Sequence, residues 1–133
     1  MTAEGARYLE PFEAFQVDPG DMSVEVIGAV EGAVLEGELT IQVLMVTEKL
    51  LVLKVTRAQG LIDKPHQHDD HESVATLISG RMRNVMGGQT FIAEPGATWR
   101  HSAGVVHSSE ALEDCVQIEI KTPPRKTWIA ANG

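Results

Sequence analysis

Gly60-Leu61-Ile62-Asp63-Lys64-Pro65-His66-Gln67-His68-Asp69-Asp70-His71-Glu72-Ser73-Val74-Ala75-Thr76-Leu77-Ile78-Ser79-Gly80 is the stretch on which the reading of this chain turns. It sets a His-x-His pair beside acids, then an apolar run, between two glycines. Residues two apart on an extended segment project from one face, so His66 and His68 can grip one ion together. Neutral imidazole suits iron, manganese, nickel, zinc or copper, and a nearby carboxylate is a common completing ligand. A lone histidine would read as a polar loop or core residue. This pair, with a further histidine after a glycine turn, reads as a metal site instead. His107, following the turn-like Ser102-Ala103-Gly104, is the natural third ligand, whereas Asp69 and Asp70 read as solvated loop acids.

Outward from this stretch, glycine and proline punctuate short runs of Val, Ile, Leu and Thr, and long amphipathic helical patterns are missing. Residues 40–47 and 50–57 flank Glu48-Lys49 as a hairpin. Residues 74–78 lead through Ser79-Gly80 into a strand over 81–86. Gly87-Gly88 is a hairpin turn signal, because glycine accepts the positive φ of tight two-residue turns. Strands are expected at 89–93, 97–101 and 116–120. In the last, Val116, Ile118 and Ile120 alternate with Gln117 and Glu119, which predicts that the apolar set faces the core. Many short strands at this spacing predict an all-β sandwich or barrel. Residues 10–15 suggest a short helical turn and 22–27 an edge strand. The expected organisation is an N-terminal arm with an edge strand (1–35), a barrel (36–122), and a tail (123–133) beyond Pro123-Pro124.

The chain has 133 residues, enough for one domain with a real core. Nineteen acidic residues against 11 basic ones give a net charge of −8. Nucleic-acid affinity comes largely from Lys and Arg displacing counterions, so no nucleic-acid partner and no anionic membrane partner is expected. A single cysteine, Cys115, rules out an intramolecular disulfide and a Cys-based zinc site. Residues 1–15 lack a signal-peptide apolar stretch, and the longest apolar runs are too short to span a bilayer. A soluble cytoplasmic protein is the expectation. No nucleophile elbow, phosphate loop or dinucleotide fingerprint is present.

At this point the residues resemble the cupin family. Gly60, five residues, His66-Gln67-His68, four residues, Ser73, six residues and Gly80 keep the spacing of its first motif. Gly96, five residues, Ser102-Ala103-Gly104, two residues, His107, three residues and Ala111 follow the second, fifteen residues on. The resemblance covers residues 60–111 and implies a jelly-roll β-barrel holding one divalent transition metal on His66, His68, His107 and a glutamate. Ser73 stands at the glutamate's place counted back from Gly80, while Glu72 satisfies a shorter spacing counted from His68. Adjacent strand residues face opposite ways, so Glu72 reaches the site only through a bulge. Three outcomes stay open: Glu72 ligates through a bulge, His71 replaces it, or three histidines share the metal with water. Glu72 is the preferred choice. The motif's proline and asparagine are replaced by Ser102 and Ala111.

His101, six residues before His107 and on one face with Trp99, is the candidate catalytic acid or base. Arg81, Arg83 and Arg100 are candidate carboxylate anchors, although exterior solvated arginines are the commoner case. Cys115 reads as a buried, inert thiol. The only tyrosine, Tyr8, lies near the N-terminus, which counts against cupin lyases that use a tyrosine base. The resemblance implies either an enzyme (dioxygenase, isomerase, lyase or cyclase) or a non-catalytic metal- or ligand-binding module. A chelating dicarbonyl, enediol or carboxylate is the substrate class that fits. A homodimer is expected, with residues 24–27 and 128–129 crossing to the partner to cover sheet edges.

Overall fold

The computed structural model describes residues 8–131. Its first regular element is a short 3-10 turn at Pro19–Asp21, and twelve strands follow. Seven of them run side by side in one sheet: β12 (Trp128–Ala130), β1 (Val24–Val30), β3 (Leu39–Val46), β4 (Leu51–Arg57), β11 (Cys115–Thr122), β6 (Glu72–Ser79) and β9 (Thr98–His101). The short β2 (Ala33–Val34) joins β1. The facing sheet orders β5 (Ile62–His66), β10 (His107–Ala111), β7 (Met82–Met86) and β8 (Gln89–Ala93). All pairings described are antiparallel, and the two sheets enclose the jelly-roll barrel that the sequence predicts.

Period-2 alternation builds most of the core. Leu51, Leu53 and Val55 of β4 turn inward, as does Leu77 of β6, and they meet Leu39, Ile41 and Met82. The hairpin of β3 and β4 forms where residues 40–47 and 50–57 predict it, closed by Thr47, whose Oγ accepts from the Leu50 amide at 2.9 Å. Gly87-Gly88 closes β7 onto β8, both glycines with positive φ. Gly80 does something else. With φ +93° it carries the chain from one sheet to the other, and a Cβ there would strike the Asp114 carbonyl and lie 2.7 Å from Cys115 Sγ. Only glycine fits so close an approach.

Three expectations need correction. The parity of β11 is the reverse of that predicted: Gln117, Glu119 and Lys121 are buried, while Ile120 is exposed and Val116 and Ile118 are only half-buried. The alternation identified the strand correctly and its inner face wrongly, because polar partners inside the barrel satisfy the buried row. The strand predicted at 22–27 is not an edge. β1 lies between β3 and β12, since the expected tail comes back and buries Trp128 against the core. Within the chain, residues 24–26 pair with β3, and residues 128–130 pair with residues 27–30 of β1. Residues 10–15 form no helical turn; Phe12 instead donates its amide to the Val46 carbonyl at 2.9 Å. Of the expected arm and tail, residues 1–7 and 132–133 lie outside the described residues. Among the described residues, no helix is long and apolar enough to cross a membrane.

Candidate metal centre

The pairing of β5 with β10 places His66 directly opposite His107. Two residues further along β10, Ser109 faces Asp63, so β5 carries one extra residue between those points. Pro65 lies in that bulge, where its missing N–H leaves no gap in the ladder. His68 follows the end of β5, and its carbonyl accepts from the Gly104 amide at 2.7 Å, tying the first histidine segment to the turn before His107. The result is one buried cluster. A ligand atom from each of His66, His68 and His107 lies within 4.8 Å of the other two.

The hydrogen bonds of these rings fit a metal. His66 donates Nδ1–H to the Lys64 carbonyl at 2.8 Å and His107 to the Val105 carbonyl at 3.2 Å, which leaves Nε2 of each with a free lone pair. His68 Nδ1 is buried with no hydrogen-bond partner, and the Glu31 carboxylate is 3.8 Å away. Burial, reinforced by Lys121 and the neighbouring imidazoles, holds His68 far below the usual histidine range. His107 is pushed down to about 4, by burial first and then by His66. Neutral imidazole is the form that binds metals, and His68 and His107 are neutral at pH 7.

At the fourth corner, β6 runs in register with β11 past Ser73 and Glu72, with no bulge there. Ser73 faces inward and is fully buried, and Glu72 is exposed on the opposite face. The structure therefore does not bring Glu72 to the cluster. His71 is buried, with its ring 4.4 Å from that of His68 and its Nδ1 2.9 Å from Asp70 Oδ1, but it is not one of the trio of converging ligand atoms. Across the sheet from Ser73 stands His101. Its Nδ1 lies 3.0 Å from Ser73 Oγ, and its ring stacks on His107 at 4.2 Å. Burial pushes His101 down to about 3, against the opposing pull of Glu119.

The sequence reading missed the polar floor of the pocket. Glu119 Oε2 meets Lys121 Nζ at 2.7 Å, and Gln117 Nε2 donates to Glu119 Oε1 at 2.9 Å. Arg57 Nε donates to Gln117 Oε1 at 3.0 Å, and Arg57 Nη1 stands 3.7 Å from Asp63 Oδ2. Asp63 Oδ1 is 3.4 Å from His66 Nδ1, so this buried chain of contacts runs from Lys121 to a candidate ligand. Burial alone would raise the Glu119 carboxyl, but Lys121, with His101 and Arg57, brings it well below the usual carboxylate range. Arg57, Asp63, Glu119 and Lys121 line the same cavity as His66, His68, His101 and His107. The signal available was three polar residues of one parity on a strand flanked on both sides.

Arg81 and Arg83 pair at the surface with Glu94 and Glu110, at 3.7 and 2.6 Å. Cys115 is buried, and burial pushes its thiol up, as an inert group requires. Tyr8 is exposed.

No family model matches the chain. Over 84 residues it is 27% identical to the pectin degradation protein KdgF of Dickeya dadantii (strain 3937), a match covering 62% of this chain and 76% of that protein. The structure of KdgF from Halomonas sp. superposes with a TM-score of 0.63 at 24% identity, over 66% of this chain and 80% of that one. An RmlC-like cupin from Shewanella frigidimarina NCIMB 400 superposes with a TM-score of 0.71 at 18% identity, over 84% of this chain and 92% of that one.

Proposed function

The chain has the cupin fold, and from that premise we propose that it is an enzyme using one divalent transition metal to act on a small, oxygen-rich metabolite. The observation that carries this reading is the trio of buried histidine ligand atoms within 4.8 Å of one another, in a cavity that His101 also lines. His66, His68 and His107 would hold the ion, which when bound supplies Lewis-acid polarisation of a coordinated oxygen. With no carboxylate turned in from β6, three protein donors leave room for water or for a substrate presenting two adjacent oxygens: a dicarbonyl, an enediol or a carboxylate.

Redox-neutral proton movement, as in an isomerase, lyase or cyclase, is the chemistry the remaining residues favour over dioxygenation. His101 is neutral at pH 7 and so enters as a base. The Ser73 hydroxyl can give or accept the hydrogen bond at Nδ1, so His101 Nε2 can take up a proton and later return it. Glu119, held ionised by Lys121 on the floor, favours the imidazolium while His101 carries that proton. The Dickeya dadantii relative takes part in pectin degradation, which supports a substrate derived from polysaccharide breakdown.

Elemental analysis of protein purified without a metal-chelating tag is the first test. One metal per chain is expected, lost in the His66→Ala/His68→Ala variant; equal metal in both would remove the reading. Metal-dependent turnover of pectin-derived sugars, followed by NMR, comes second. His101→Gln should abolish turnover and keep the metal, whereas full activity in that variant would take the base role from His101.

A further inference from the structure

The two sheets do not close the barrel all the way round. β8 ends one sheet and β9 ends the other, and these two edges do not pair with each other. Between them lies a groove lined mainly by apolar side chains: Met86, Phe91, Ile92, Val105 and Trp99. Phe91 and Ile92 are about half exposed, at 50% and 47%, an unusual state for two large apolar neighbours on a strand edge. Trp99 and Asn84 line both this groove and the histidine cavity, so the two spaces adjoin through them.

Arg100 also lines the groove, and it is exposed. The other arginines between β6 and β10, Arg81 and Arg83, are each paired with a glutamate, but Arg100 makes no ion pair among the described residues. On a chain of net charge −8, an anion is held only where a local cation offsets the general repulsion. A concave apolar surface with one guanidinium fits an apolar body that ends in a carboxylate. We infer that the seam between β8 and β9 binds a small carboxylic acid, its apolar part against Phe91, Ile92 and Trp99 and its carboxylate on Arg100. A ligand seated there lies beside the histidine cavity without needing a metal, so the inference stands apart from the proposed reaction.

The test uses chelator-treated protein and 4-phenylbutyrate as probe, with 4-phenylbutanol and acetate as controls. Binding is followed by NMR through the indole N–H of Trp99. Saturable binding of the acid is expected, about tenfold tighter than the alcohol, as one charge-assisted bidentate contact provides. Arg100→Gln should lose that tenfold advantage, Arg100→Lys should keep part of it, and Phe91→Ser should weaken acid and alcohol alike. His66→Ala/His68→Ala should change nothing, which separates failure of this inference from failure of the metal reading. Equal affinity for acid and alcohol, or unchanged affinity in Arg100→Gln, would overturn it. So would a dimer by light scattering that Phe91→Ser dissociates, because the groove would then belong to a second copy of the chain.

Discussion

Replacing Lys121 by methionine keeps the length of the side chain and removes its charge. In the structure Lys121 Nζ lies 2.7 Å from Glu119 Oε2, with the two side chains 3% and 8% exposed. After the change Glu119 keeps only the Gln117 hydrogen bond and the more distant cations. Breaking a buried pair from one side costs about 3–5 kcal/mol, because the surviving charge stays desolvated. For a domain whose whole stability is of order 5–15 kcal/mol, that is a large fraction. With a urea m-value of about 2 kcal/mol/M, the unfolding midpoint should fall by about 1.5–2.5 M. The pH dependence carries the sharper signature. In the wild type the Glu119 pKa is depressed, so its contribution is full above the unfolded value of 4.5 and is lost as the pH falls below it. In Lys121→Met, burial is no longer offset by its strongest opponent, and the same carboxyl is raised. The variant's deficit is therefore largest near pH 7 and shrinks as the pH falls toward 4.5. Glu119→Gln/Lys121→Met should recover most of the loss, since no buried charge is stranded. Urea titrations of the three proteins at pH 7 and pH 5 decide the matter. A loss under about 1 kcal/mol at pH 7, or a deficit that grows on acidification, would refute the account of a charge pair held dry inside the barrel.

Two further outcomes follow from the site. Burial holds His101 at about 3 and His107 at about 4, against an ordinary value of 6.5. The metal-free protein should keep its full stability above pH 6.5 and lose up to about 1.4 kcal/mol per pH unit from each ring as the pH falls toward 4. A melting temperature that is flat or rising over that window, measured by calorimetry, would contradict it. Glu72→Gln should leave metal content unchanged, because Glu72 faces solvent on the far side of β6; metal loss in that variant would show that the strand rearranges on loading.

Much of the architecture was legible because strands announce themselves by punctuation. Glycine pairs and Pro-Gly steps bracket runs of β-branched residues, and β3, β4, β6, β7, β8, β9 and β11 fall within a few residues of their predicted places. β5, β10 and β12 were not singled out. β5 contains Lys64 and Pro65, and β10 is mostly polar, so neither shows a hydrophobic period. The histidines were visible through spacing alone, because a shared metal site imposes intervals that chance seldom repeats. The floor was not visible. Gln117, Glu119 and Lys121 look like solvent-facing residues unless their partners are known, and Arg57 and Asp63 lie far from them in sequence. Whether Ser73 or Glu72 faced inward was a question of register, which depends on the neighbouring strand rather than on either residue.

Taken alone, β11 would prefer to slip by one residue, wetting Gln117, Glu119 and Lys121 and burying Val116, Ile118 and Ile120. It does not, because seven-residue ladders with β4 on one side and β6 on the other fix its phase. The neighbours thus force the least comfortable strand of the sheet to present its charges to the cavity. A local conflict of this kind weakens the fold where it occurs and is tolerated where function needs it. Stabilising designs that swapped the floor for leucine and valine would remove that conflict, and the cavity's chemistry with it.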